Sequence, residues 1–194
     1  MRERGPRLSA KKEPLFKDAK SAVITISVVT FLVAFALFAI NHNDESRLKK
    51  AAAKALGFQE EAYTLIEERF ELARTMGRIL VEEGFDDPFG EVVGSWDAEE
   101  GVEETSRLYN EVETLLDGVQ KRFYNEPSFP RLIPYFEGAY HAELALVPWV
   151  EEYNSQVDFF NATMGSFPAS IAAKRLKLER LARFSVASAL KGRP

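Results

Sequence analysis

The sequence predicts an all-α protein, with one N-terminal transmembrane helix followed by an antiparallel three- to four-helix bundle of long helices. Three observations carry this expectation. Residues 22–40 read AVITISVVTFLVAFALFAI, without a charge, proline or glycine. Beyond them, apolar side chains recur every three or four residues, the period of a half-buried helix. No segment shows the sustained apolar/polar alternation with turn dipeptides that a sheet requires.

The apolar run holds nineteen residues, and at about 1.5 Å per residue it covers roughly 28 Å, a bilayer's hydrocarbon thickness. A cleaved signal has a shorter apolar region, about 7–15 residues. The A-x-A element Ala34-Phe-Ala36 lies inside the run instead of after it. An uncleaved anchor over 21–41 is therefore expected. Residues 1–20 carry seven basic side chains (Arg2, Arg4, Arg7, Lys11, Lys12, Lys17 and Lys20), against four in 41–60 (Arg47, Lys49, Lys50 and Lys54). By the positive-inside rule the 1–20 segment is cytoplasmic, and the rest lies on the periplasmic or extracellular side of the cell membrane.

The helical body is expected over 42–172. A first amphipathic stripe runs through Tyr63, Ile66, Phe70, Ala73, Met76 and Leu80. Gly84, Pro88, Gly90 and Gly94 then mark a loop. Asp97 followed by Glu100 resembles a helix-starting capping box, and Leu108, Val112, Leu115, Val119 and Phe123 supply a second stripe. After Pro127, Pro130 and Pro134, a third stripe follows at Ile133, Phe136, Tyr140, Leu144, Val147, Val150, Val157, Phe160 and Met164. Pro148 is expected to kink or split that helix.

The chain has no cysteine, which excludes disulfides, thiolate metal sites, a Cys nucleophile and a lipid anchor through sulfur. Residues 41–172 hold 26 acidic against 11 basic side chains within an overall net charge of −5. An acidic body does not suit nucleic acid, whose binding relies on Lys and Arg at phosphates. The two histidines, His42 and His141, are far apart in sequence, and His141 and Glu143 point to different sides of a helix. Acidic pairs such as Glu60-Glu61 and Asp86-Asp87 lack the alternation of a calcium loop, and the glycines lack phosphate-loop spacing. No catalytic residue, cofactor or metal ligand is expected.

Tyr153, Phe160 and Phe167 are seven apart, as are Asn154 and Asn161. The aromatics are expected to form a coiled-coil-like seam against the first helix, and the asparagines to fix its register from the side. A ligand groove beside those amides is the functional alternative. The 173–194 tail is basic, with Leu178, Leu181 and Phe184 at helical spacing among Lys174, Arg175, Lys177, Arg180 and Arg183. Two readings stand open: an interfacial helix whose basic side chains contact anionic lipid, or a last helix that packs its leucines on the bundle.

The stretch Tyr153-Asn154-Ser-Gln-Val157-Asp-Phe-Phe160-Asn161-Ala-Thr-Met-Gly-Ser-Phe167-Pro168 resembles the C-terminal signature of the LemA family. In that family a Tyr-Asn pair recurs one heptad later and a Phe-Pro closes the helix. Glu143, ten residues before Tyr153, stands where the family has a helix glutamate. Phe129-Pro130-Arg-Leu132 and Arg69-Phe-Glu-Leu72 are similar to other family segments. Val150 in place of a basic residue and the interrupting Pro148 make this a divergent member. The resemblance implies a bacterial-type, single-pass, non-enzymatic scaffold or adaptor in membrane or envelope organisation, meeting a protein partner or a second copy of itself. The alternative is a membrane-tethered sensor that binds a small molecule or an envelope component.

Overall fold

The structure is a computed structural model that describes residues 18–127 and 129–186. Most of the N-terminal basic segment and the tail beyond 186 lie outside the described residues. The chain divides into two units, Met1–Asn43 and Asp44–Pro194. Five α-helices are described: α1 (Ala19–Glu82), α2 (Gly90–Gly94), α3 (Val102–Phe123), α4 (Phe129–Gly165) and α5 (Ala169–Arg175). One 3-10 turn, Ala98–Glu100, precedes α3. No strand occurs among the described residues.

In the first unit, α1 is long and apolar enough to cross a membrane. Its large apolar side chains between Val23 and Ile40 are 44% to 69% exposed. Such a surface differs from the helices of the second unit, each of which buries one face.

In the second unit, α1 from Asp44 onward, α3 and α4 share one hydrophobic core. The α1 stripe is buried as expected at Ile66, Phe70, Ala73, Met76 and Leu80. Gly84, at φ 87, ends the helix in a left-handed turn in which Phe85 N–H donates to Leu80 O and Gly84 N–H to Val81 O. The chain then doubles back along α1. Asp87 sits so close to Gly77 that a Cβ there would lie 2.1 Å from its carboxylate, and the Trp96 ring packs edge-on against Phe70 and Tyr63. Asp97 accepts from Glu99 N–H and caps the 3-10 turn, so α3 begins later than the capping box suggests, after Gly101.

This return corrects the expected antiparallel order. Arg69 meets Glu113, and Phe85, just past the end of α1, meets Phe123 at the end of α3, so α1 and α3 run parallel. Helix α4 opposes both: Arg131 near its start pairs with Glu82 at the end of α1, and Trp149 packs on Phe58.

Three further expectations are corrected. The α4 stripe before Pro148 is displaced by one position: Leu132, Ala139 and Leu146 are buried, while Ile133, Tyr140 and Leu144 are exposed. Pro148 does not split α4, because it lies on the exposed side where the carbonyl four residues back can turn to water. The tail is not a helix beyond Arg175. Residues 178–186 have no regular secondary structure and run as a strap over the bundle.

Candidate functional site

The strap lies along α4 and is held through its backbone. Asn161 donates from Nδ2 to Leu181 O at 2.9 Å and accepts from Leu181 N–H at 3.1 Å. Asn154 does the same to Phe184, at 3.0 Å and 2.9 Å. A primary amide has both a donor and an acceptor, so each asparagine pairs with one residue as a neighbouring strand would. Between them the Tyr153 hydroxyl donates to Ala182 O at 2.8 Å. From α3, Ser106 Oγ accepts from Ser185 N–H at 3.1 Å, and Asn110 Nδ2 donates to Ser185 O at 2.7 Å.

The spacing explains why both clamps close together. Seven residues of α-helix advance about 10.5 Å, and three residues of extended chain about 10 Å. The strap runs opposite to α4, with Leu181 at Asn161 and Phe184 at Asn154. Every third strap residue therefore returns to the helix. Leu178 and Leu181 are half-buried and Phe184 is buried, whereas Glu179, Arg180, Arg183 and Ser185 face solvent.

Phe184 fills an aromatic box, packing edge-on against Tyr153 and Tyr63 with ring centroids at 4.9 and 5.9 Å. Burial pushes the Tyr153 phenol up to about 12, with Tyr63 beside it adding to the shift. Tyr153 thus keeps its proton for Ala182 O across the physiological range. Beside the strap, a cleft of about 540 Å³ is walled by Tyr109, Glu143, Val150, Asn154 and Phe184, among others.

Beneath that cleft lies a buried ionic cluster. Arg69 is 3% exposed and Glu143 2%. Arg69 Nε donates to Glu113 Oε1 at 2.6 Å, its other nitrogens reach Glu113 and Ala139 O, and Glu143 Oε2 stands 3.6 Å away. The guanidinium also covers the Tyr109 ring at 5.4 Å. Burial drives the Tyr109 phenol well above its ordinary range.

The structure sorts the site residues expected from sequence. Glu143 belongs to the ionic cluster. Val157 and Phe160 are core, the latter in a second cluster with Leu48, Ala51 and the α5 alanines. Tyr153, Asn154 and Asn161 form the strap site. The asparagines therefore do not set helix register; their amides are spent on strap backbone. Phe167 is not in the seam: α4 ends at Gly165, and Phe167 in the following turn is 80% exposed. Pro168 is half-buried at the start of α5.

Of the basic side chains expected at lipid, Arg175 pairs with Glu45 and Arg183 with Asp158 at 3.2 Å. Lys174, Lys177 and Arg180 are exposed, and the interfacial helix that was to present the whole set is absent from 176–186. Ser106 and Asn110 went unnoticed in sequence, and Tyr63 was read only as part of the α1 stripe. Ser106 and Asn110 are four apart on α3, the one signal that could have joined them on a face.

Fold and groove define a class: an all-helical chain with one helix apolar enough to cross a membrane, and an amide-lined groove filled by its own C-terminal segment. No family model, curated protein or solved structure matches the chain.

Proposed function

We propose that the protein is a membrane-anchored, non-enzymatic scaffold or adaptor of the LemA type, with residues 21–41 in the cell membrane, the N-terminus cytoplasmic and the helical body outside. The observation that carries the anchor is the exposed apolar surface of α1 between Val23 and Ile40. What supports an adaptor is the groove, whose polar groups are amides and hydroxyls aimed at backbone. A small-molecule sensor is the second reading, favoured by the cleft of about 540 Å³ beside the strap.

The chain has no native cysteine, so Ser95→Cys, in the exposed loop after α2, gives a single reporter. In intact cells or spheroplasts a membrane-impermeant thiol reagent labels it if the body is outside. The protein should also stay in the membrane fraction at full-length mass after an alkaline wash. Labelling only after lysis would reverse the orientation, and a shortened, soluble product would replace the anchor with a cleaved signal.

A further inference from the structure

The strap is an extended peptide whose hydrogen bonds to the bundle run to its backbone, while Phe184 and Arg183 supply side-chain contacts. Among the described residues, seven hydrogen bonds join bundle side chains to the strap, and each ends on strap backbone. Main-chain pairing of this kind gives affinity to any extended segment, while side-chain pockets supply selectivity. Here the largest inward side chains recur every third residue, with the smaller Ala182 packed between them. The strap reads Leu178-Glu179-Arg180-Leu181-Ala182-Arg183-Phe184, two Leu-x-Arg triplets followed by Phe, and the inward side chain of each triplet meets α4 or the cores beside it. Of the two outward arginines, Arg183 pairs with Asp158 and Arg180 is exposed. No helix or sheet ladder holds the strap in place; from Leu181 onward its backbone bonds run to side chains of α3 and α4, groups that an incoming peptide backbone could take over.

We infer that the α4 groove is a peptide-recognition site that exchanges its own strap for a basic extended peptide in trans, one carrying apolar residues at every third position, arginines between them and an aromatic anchor at the Phe184 place. This deepens the adaptor reading by naming the partner's chemistry. The docked strap is then the competing ligand in cis, present at the high effective concentration of a short tether. A partner gains access only when the strap is loosened or outcompeted.

The test uses the full-length chain in detergent and a fluorescein-labelled peptide of residues 178–186, read by anisotropy. It does not depend on membrane orientation, so its failure is separate from that of the anchor. Phe184→Ala empties the aromatic box, and Arg183→Glu sets like charges against Asp158, both without touching the bundle's groove residues. Each variant should bind the peptide at least tenfold more tightly than the unaltered chain. Adding Asn154→Ala and Asn161→Ala should remove that gain, and a peptide with Ala at its Phe position should bind at least tenfold more weakly. Should Phe184→Ala fail to fold, Arg183→Glu decides alone. Equal binding by the unaltered chain and the folded variants would overturn the proposal by making the strap a permanent part of the fold. A concentration-dependent dimer of the unaltered chain that the peptide dissolves would overturn it too, by making a second copy the occupant.

Discussion

Arg69 ties three segments together, because its fork reaches the Glu113 carboxylate on α3 and the Ala139 carbonyl on α4, with Glu143 3.6 Å away. Taking one member from a buried ion cluster leaves charge without its counter-charge and costs about 3–5 kcal/mol. Arg69→Ala should destabilise the full-length chain by that amount in equilibrium denaturation of the detergent-solubilised protein. Arg69→Lys should recover only part, since an ammonium cannot serve all these acceptors in one plane. Sequence reasoning noted Glu143 and the Arg69 segment separately; nothing in either stretch says that they touch. Tyr153 adds a dependence on pH. Its folded pKa of about 12 lies above the ordinary value of 10.0, so its contribution is complete below about 10 and is lost as pH rises through about 12. Melting curves between these limits should therefore fall less steeply for Tyr153→Phe than for the unaltered chain. At neutral pH the same substitution should cost roughly 1 kcal/mol, one hydrogen bond to Ala182 O.

Helix α5 closes with Lys177 at φ 52, the left-handed position usually held by glycine, while Leu178 N–H donates to Ala173 O. A side chain there costs about 1–2 kcal/mol, against which glycine loses about 0.5–1 kcal/mol of backbone entropy. Lys177→Gly should thus raise the melting temperature slightly, and a drop would show that the lysine side chain makes a contact worth more than its strain. At this scale the sequence was informative where one face of a helix is apolar. The α1 stripe was found from Ile66 to Leu80, with Tyr63 half-buried at its start. In α4 before Pro148, apolar side chains occupy several faces, so Ile133-Tyr140-Leu144 was as plausible a stripe as the buried Leu132-Ala139-Leu146. The strap misled for a related reason. A three-residue spacing of Leu178, Leu181 and Phe184 suits a helix, but it also suits an extended chain read every third residue by a heptad of asparagines. Only the partner element distinguishes the two.

Across the whole molecule, the helical class and the apolar segment were legible because both are written in local composition. Chain direction was not. The parallel run of α1 and α3 depends on residues 83–101 turning back along α1 and carrying Trp96 to Tyr63, and loop length alone permits either course. Identifying Tyr153, Asn154 and Asn161 as special was within reach, since their seven-residue repeat stands out; what they hold lies some twenty to thirty residues further on. The clamps also behave as a ruler with two scales, seven divisions on the helix edge to three on the strap edge. Slipping the strap by one or two residues breaks both amide pairs. Slipping it by three would bring Leu178 to Asn161 and Leu181 to Asn154, but it gives up both the seat of Phe184 and the Leu178 N–H bond to Ala173 O that closes α5. The aromatic is thus the index mark of the scale: together with the α5 cap it fixes the notch in which the chain rests.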